Sequence, residues 1–269
     1  MKQRCRNLIF ILGDQLSQSI ASLEGIDPDQ DMVLMCEVQE ETTYVRHHCK
    51  KIVLILSAMR HFAEELRGMG FGVRYIALDD EANTGSFTEE LKRAVNEIKP
   101  ERVIVTEPGE FRVLQAMLGW EKSLNIPVEI RGDSRFLCSS QEFATWAEGR
   151  RELRMEFFYR EIRRKTGLLM ESDKPVGGRW NFDAENRKPA KPDLFRTSHP
   201  QFTPDQTTRE VMKLIDERFA DHMGEAKGFA FAVTKKDAER AADAFIEHFL
   251  PSFGETQDAM LSSDPFLNH

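Results

Sequence analysis

A rhythm in the first half of the chain constrains its fold more than any other feature. Short runs of apolar and β-branched residues recur there, at 7–12, 32–36, 72–78, 102–106 and 128–130. Each reads as a buried strand. Stretches with the apolar spacing of amphipathic helices lie between several of them, at 52–67, 86–98 and 111–124. Ser86 followed by Glu89 has capping-box spacing, and Pro100 stops that helix. Short apolar strands alternating with helices specify a parallel sheet covered on both faces. The expected fold class is therefore α/β, with a five-stranded Rossmann-like domain.

Right-handed crossovers align the carboxyl ends of such strands along one rim, where ligands bind. The segments just beyond strands one, two and four carry most weight: Gly13, Asp14 and Gln15; Cys36 and Glu37; Glu107 to Glu110. Neither a GxGxxG fingerprint nor a GxxxxGK[ST] loop is present. An acidic residue after the first strand repels a bare phosphate and suits a ligand that offers N–H or hydroxyl donors. The plainer alternatives are a turn with a helix N-cap at 13–15 and a β-turn centred on Pro108 and Gly109. The tandem His47 and His48 point about 100° apart on a helix, which makes a poor chelate, and no metal site is expected.

The pattern changes after about residue 133. Residues 142–169 are helix-rich and hold the cluster Phe157, Phe158 and Tyr159. The stretch 171–206 contains Pro175, Pro189, Pro192, Pro200 and Pro204, so it reads as a long linker. From 207 to 250 the chain turns helical again, with one stripe through Val211, Leu214, Ile215 and Phe219 and another through Ala238, Ala242, Phe245 and Phe249. The expected organisation is an α/β domain over 1–133, a helical segment and linker over 134–206, and the start of a helical domain over 207–269.

The formal charge is −8, which argues against binding nucleic acid through bulk charge. Residues 147–196 run the other way, with 13 Lys and Arg against 9 Asp and Glu. Arg160, Arg163, Arg164 and Lys165 crowd one helix, either as a solvated face or as a phosphate-facing patch. The cysteines Cys5, Cys36, Cys49 and Cys138 form no metal-ligand spacing and are expected to be reduced thiols of a cytoplasmic protein. The apolar run near the N-terminus is too short for a signal peptide or a membrane span. No nucleophile elbow, HExxH or kinase motif set occurs.

Eight segments carry a likeness to a known family. They are LGDQL at 12–16, CEV at 36–38, SAMRHFAEEL at 57–66, TEPGE at 106–110, MEFFY at 155–159, RKTGLLM at 164–170, PVGGRWNFD at 175–183 and TQDAM at 256–260. In this order they closely resemble the deoxyribodipyrimidine photolyase-related proteins, the iron–sulfur bacterial cryptochromes and photolyases that include the prokaryotic (6-4) photolyases. The resemblance implies an N-terminal α/β antenna domain holding 6,7-dimethyl-8-ribityllumazine and a C-terminal helical domain holding FAD and a [4Fe–4S] cluster. It also implies light-driven repair of (6-4) pyrimidine photoproducts in DNA, a carbon–carbon lyase reaction. By match of motif, Asp14, Gln15, Cys36, Glu41 and Ile55 would line the antenna pocket, with Glu107 and Glu110 as further candidates. Asp258 would face the lesion.

The family chain is roughly twice as long. Most flavin-cradling helices and all cluster cysteines lie beyond the segments matched here. The expectation is a chain that supplies the antenna domain, is inactive in repair alone, and completes its helical half with segments absent from this sequence. The alternatives are a non-catalytic ligand-binding α/β module, distinguished by a colourless protein that takes adenine nucleotide, and cryptochrome-type signalling, distinguished by a repair assay.

Overall fold

A computed structural model of the chain describes residues 5–186 and 199–256. Five parallel strands form one sheet: β1 (Asn7–Phe10), β2 (Met32–Cys36), β3 (Gly72–Ile76), β4 (Arg102–Thr106) and β5 (Val128–Arg131), in the order β3-β2-β1-β4-β5. The helices around it are the short α1 (Gln39–Thr43), then α2 (Cys49–Gly68), α3 (Phe87–Ile98) and α4 (Phe111–Leu124). The α/β expectation therefore holds. The strand order reverses at β1, so β1 and β4 flank the switch point where such sheets open a crevice.

The alternation of side chains along a strand explains the two cores. Ile9 and Ile11 of the first strand and its exit point to one face, with Val33, Met35 and Ile104. Helix α2 covers that face with Ile52, Val53, Leu56, Met59, Phe62, Ala63 and Leu66, spaced at helical intervals. Leu8 and Phe10 point to the opposite face, against Leu91 and Ala94 of α3 and Met117 and Trp120 of α4. The Trp120 indole donates to Thr88 Oγ1 at 2.9 Å, which satisfies its buried N–H. Gly13, at the exit of β1, lies so close to α2 that a Cβ would stand 2.9 Å from both Ile55 Cγ2 and Met59 Sδ.

The contacts divide the chain into two compact units, one of Met1–Arg135 with Phe202–Lys235 and the other of Phe136–Gln201 with Lys236–His269. The sequence grouped 207–269 as one helical piece. Instead α7 (Gln206–Arg218) clusters with the sheet unit and buries Val211, Leu214 and Ile215 in the α2 core. Asp205 caps α7 by accepting from the Thr208 amide at 2.8 Å, and it faces His61 Nε2 at 3.1 Å. The expected helix from 207 to 250 is broken. Residues 219–234 are turns and irregular backbone, and helix resumes at α8 (Lys235–His248) and α9 (Leu250–Thr256). Phe219, just past the end of α7, is buried in the same core as Val211, Leu214 and Ile215, and Phe229 joins it from the irregular segment. The second unit also holds α5 (Ser140–Ala147), α6 (Met155–Thr166) and the two-residue strands β6 (Met170–Glu171) and β7 (Lys174–Pro175), paired antiparallel. The capping box expected at Ser86 does not form. The Phe87 amide donates to Glu40 Oε1 at 2.6 Å, while a full capping box joins Ser139 and Glu142.

A buried carboxylate ties the entry of β1 to the segment before β2. Asp31 accepts from Arg6 Nη2 at 2.6 Å, from the Asn7 amide at 3.1 Å and from the Asp27 amide at 2.8 Å. Burial pushes this carboxyl up, but the Arg6 guanidinium and the amide donors outweigh it and hold the pKa below the usual Asp value. A depressed folded-state pKa contributes stability that is complete above the unfolded value near about 4 and is lost as pH falls through the folded value. Asp31→Asn is therefore expected to lower stability at pH 7 and to flatten its decline below about pH 4, as urea titrations across pH would record.

Candidate functional site

The carboxyl ends of β1, β2 and β4 meet α1, the start of α2 and the start of α4 around a cavity of about 260 Å³. That size is near the lower end for small-molecule sites, which begin at about 300 Å³. Leu12, Ile52, Ile55, Leu56, Met59, Phe87 and Val113 make it apolar inside. Asp14, Glu41 and Glu110 supply carboxylates, and Cys36 and Glu37 come from the exit of β2.

The backbone just past each strand sets these positions. Asp14 sits in the turn just past Gly13, and Arg135 Nη1 donates to the Asp14 carbonyl at 2.6 Å. Arg135 is itself fixed by Asp133, 2.6 Å away. Glu41 comes from α1 and Glu110 from the residue that precedes α4. Arg112 bridges the two. Its Nη2 donates to both Glu41 oxygens at 2.7 and 2.8 Å, and its Nε donates to Glu110 Oε1 at 2.9 Å. The same guanidinium stacks 4.7 Å from the Tyr44 ring centre. Burial holds the Glu41 carboxyl above the ordinary range, against the hydrogen bonds from Arg112 that lower it. Burial also pushes the Cys36 thiol well up, and the charges of Glu90 and Glu40 add to it, so Cys36 is a neutral thiol at physiological pH.

Behind the cavity lies a buried charge cluster. Glu37 is fully buried and accepts from Arg60 Nε at 2.7 Å and Nη2 at 3.0 Å, from the Tyr75 hydroxyl at 2.5 Å and from the Leu78 amide at 2.7 Å. Both oxygens of the carboxylate accept two donors each, so its charge is neutralised at the inner wall of the cavity. At the outer edge Lys51 Nζ lies 3.2 Å from His47 Nδ1. Burial and the nearby Lys51 charge lower the His47 pKa, so this ring is neutral and accepts from the ammonium.

Of the residues expected at the pocket, Asp14, Cys36, Glu41, Ile55 and Glu110 come together there. Gln15 and Glu107 do not line it. Gln15 is fully buried and works as a clamp across the switch point. Its Oε1 accepts from the Leu12 amide at 3.3 Å and its Nε2 donates to the Thr106 carbonyl at 3.1 Å. An amide that satisfies strand-end backbone in this way has no group left facing the cavity. The sequence reading missed Arg112, Tyr44 and Lys51 as part of the site. Arg112 stands two residues after Glu110, and that spacing was the one signal present. Exchanging Arg112 for Met is expected to change stability by less than about 1 kcal/mol, because the pair is half exposed. The same change leaves Glu41 and Glu110 unshielded, and a rise in the Glu41 pKa is expected in a carboxyl titration followed by NMR.

The four basic residues proposed as a phosphate-facing patch have separate roles. Arg163 is buried and donates to the Leu168 carbonyl at 3.3 Å and the Tyr159 hydroxyl at 3.3 Å. It is a strut of the second unit. Arg160 pairs with Glu156, and Lys165 with Glu142. Arg164 is exposed and lies over the Trp180 ring, 4.7 Å from its centre. Asp258 lies outside the described residues. Among the described residues no group of three or more His, Cys, Asp or Glu side chains is placed to hold a metal ion. No helix among them is long and apolar enough to cross a membrane.

The fold and site define a Rossmann-like α/β protein with a largely apolar cavity at the carboxyl rim of its sheet. Residues 9–231 match the model of the deoxyribodipyrimidine photo-lyase-related protein family, and the chain belongs to that family. A (6-4) photolyase of Agrobacterium fabrum (strain C58 / ATCC 33970) is 59% identical over 262 residues, which cover 97% of this chain and 52% of that protein. The chain thus spans about half the length of this curated relative. An uncharacterized protein of Acanthamoeba polyphaga mimivirus is 20% identical over 199 residues, which cover 71% of this chain and 98% of the viral protein.

Proposed function

We propose that the rim cavity binds a flat heteroaromatic chromophore with a polyol tail, of the 6,7-dimethyl-8-ribityllumazine type. On this reading the sheet unit is the light-collecting part of a photolyase that repairs (6-4) photoproducts in damaged DNA. The observation that carries it is the pairing of an apolar interior with three carboxylates at one opening. Apolar walls at Ile55, Leu56, Met59 and Phe87 suit the faces of a ring system, and carboxylates accept from hydroxyls and ring N–H groups. Asp14, Glu41 and Glu110 outnumber the Arg112 and Lys51 cations, which favours an uncharged tail over a phosphorylated one. The neutral Cys36 thiol adds a small polarizable surface without a charge. When bound, the lumazine supplies near-ultraviolet absorption whose energy passes to a second chromophore.

The resemblance also implies FAD and a [4Fe–4S] cluster. The described part of this chain offers the cluster no ligand set: Cys36 and Cys49 are buried, Cys5 and Cys138 are half-buried, and no metal-holding group is present among the described residues. Repair itself is proposed for a chain with the length of the Agrobacterium relative, with the exposed Arg164 as the candidate for phosphate contact, while Arg160 and Lys165 would first have to leave Glu156 and Glu142. The test is the action spectrum of (6-4) photoproduct repair by such a chain, with and without Ile55→Trp. The variant is expected to lose the near-ultraviolet lumazine band and keep repair driven by light that the flavin absorbs. Identical action spectra for the two proteins would remove the antenna role.

A further inference from the structure

The outer lip of the cavity is formed by Tyr44, His47 and Lys51, from the turn between α1 and the first residues of α2. On its other side this turn is bonded to a segment about 175 residues downstream. His222 Nδ1 lies 3.1 Å from the His47 carbonyl. The Cys49 amide donates to the Met223 carbonyl at 2.8 Å, and His48 and Met223 pair as an isolated parallel bridge. Lys50 Nζ donates to the Gly228 carbonyl at 3.1 Å, and Cys49 Sγ to that of Phe219 at 3.8 Å. The downstream segment is anchored in turn, since Phe219, Ala226 and Phe229 are buried in the α2 core. Gly224 has φ +70° and lies against the His48 ring, where an added Cβ would overlap the imidazole. Glycine meets both demands, the left-handed backbone and the missing side chain.

We infer that residues 219–228 are a brace that holds the lip of the cavity, and that His222 and Gly224 are positioning residues for ligand binding. Neither residue lines the cavity. They act through the peptide groups of residues 47–49, which fix where Tyr44 and His47 stand. The ligand part of this inference rests on the proposed function. The positioning part does not, because Cys36, buried inside the cavity, reports its opening without any ligand.

The experiment compares the wild-type chain with Gly224→Ala, His222→Ala and the double variant His48→Ala/Gly224→Ala. Each is alkylated with N-ethylmaleimide, and the modified cysteines are mapped by mass spectrometry. Each is also titrated with 6,7-dimethyl-8-ribityllumazine. Gly224→Ala is expected to speed Cys36 modification by about tenfold and to weaken lumazine binding by a similar factor, with the circular dichroism of the sheet unit retained. His222→Ala removes one contact without backbone strain and is expected to act in the same direction by about threefold. Deleting the His48 ring in the double variant is expected to recover most of the loss. Faster modification of Cys49 with Cys36 unchanged would overturn the inference, because the segment would then only staple the start of α2. If lumazine fails to bind the wild-type chain while Cys36 still responds, the proposed ligand falls and the brace stands. If lumazine binds all the variants equally and Cys36 does not respond, the brace falls and the ligand stands.

Discussion

Exchanging Glu37 for Ala is expected to destabilise the sheet unit by about 3–5 kcal/mol, because it leaves a charged Arg60 largely buried without its partner. Arg60 is only 19% exposed at its side chain, and Glu37 is its closest counter-charge, at 2.7 Å against 3.9 Å for Asp79. Burial opposes the Arg60 charge and the Glu37 carboxylate more than offsets it, so the guanidinium is held even more firmly charged than a free arginine. The Tyr75 hydroxyl and the Leu78 amide lose their acceptor in the same step. Glu37→Gln removes the charge but keeps one acceptor oxygen, which can serve the Leu78 amide while the Tyr75 hydroxyl turns to accept from the new NH2, so a smaller loss of roughly 2 kcal/mol is expected. Urea unfolding at pH 7 measures both. A Glu37→Ala change below about 1 kcal/mol would mean that water reaches Arg60 freely and that the cluster does not close the inner end of the cavity.

The second large effect concerns the ligand. Ile55 faces the cavity from the middle of α2 and is only partly buried, so the space before it is open. Ile55→Trp places an indole in a cavity of about 260 Å³ and takes up the room of a ring ligand. Lumazine affinity is expected to fall at least about 100-fold, near 2.8 kcal/mol. Stability is expected to stay within about 1 kcal/mol, because the new side chain enters an open space instead of a packed core. Unchanged affinity in Ile55→Trp would place the ligand away from this rim.

The sheet was legible in the sequence because its strands are buried on both faces and so read as unbroken apolar runs. The bounds of α4 were legible for a local reason: its apolar stripe begins just after the Glu107–Glu110 turn and ends at Asn125, in the left-handed conformation. Tertiary contacts decided the rest. Glu40 caps α3 from a distant segment, which no local capping-box spacing could reveal. The chain leaves the helix at Phe219 because that ring is buried beside α2, and a spacing rule that extends the stripe through Phe219 cannot detect the exit.

The site was legible to the extent that the carboxyl-rim rule selects segments. The rule named Asp14, Cys36 and Glu110 from strand ends, and the family resemblance added Glu41 and Ile55. It could not tell a rim residue that faces the cavity from one that closes the backbone, as Gln15 does. It also could not find Tyr44 and Lys51, which reach the cavity through the turn before α2 and that helix's first residues. The basic run at 160–165 shows the same limit. Helical spacing places four cations on one helix, but only the packed structure reveals that Arg163 is spent on the carbonyl of Leu168 and the hydroxyl of Tyr159.

The most direct measurement is a fluorescence titration of the purified chain with 6,7-dimethyl-8-ribityllumazine, run beside Ile55→Trp. One saturable site per chain is expected, with a Kd in the micromolar range or tighter, about −8 kcal/mol or better, and none in the variant. Unsaturable binding, or equal binding by both proteins, would contradict it.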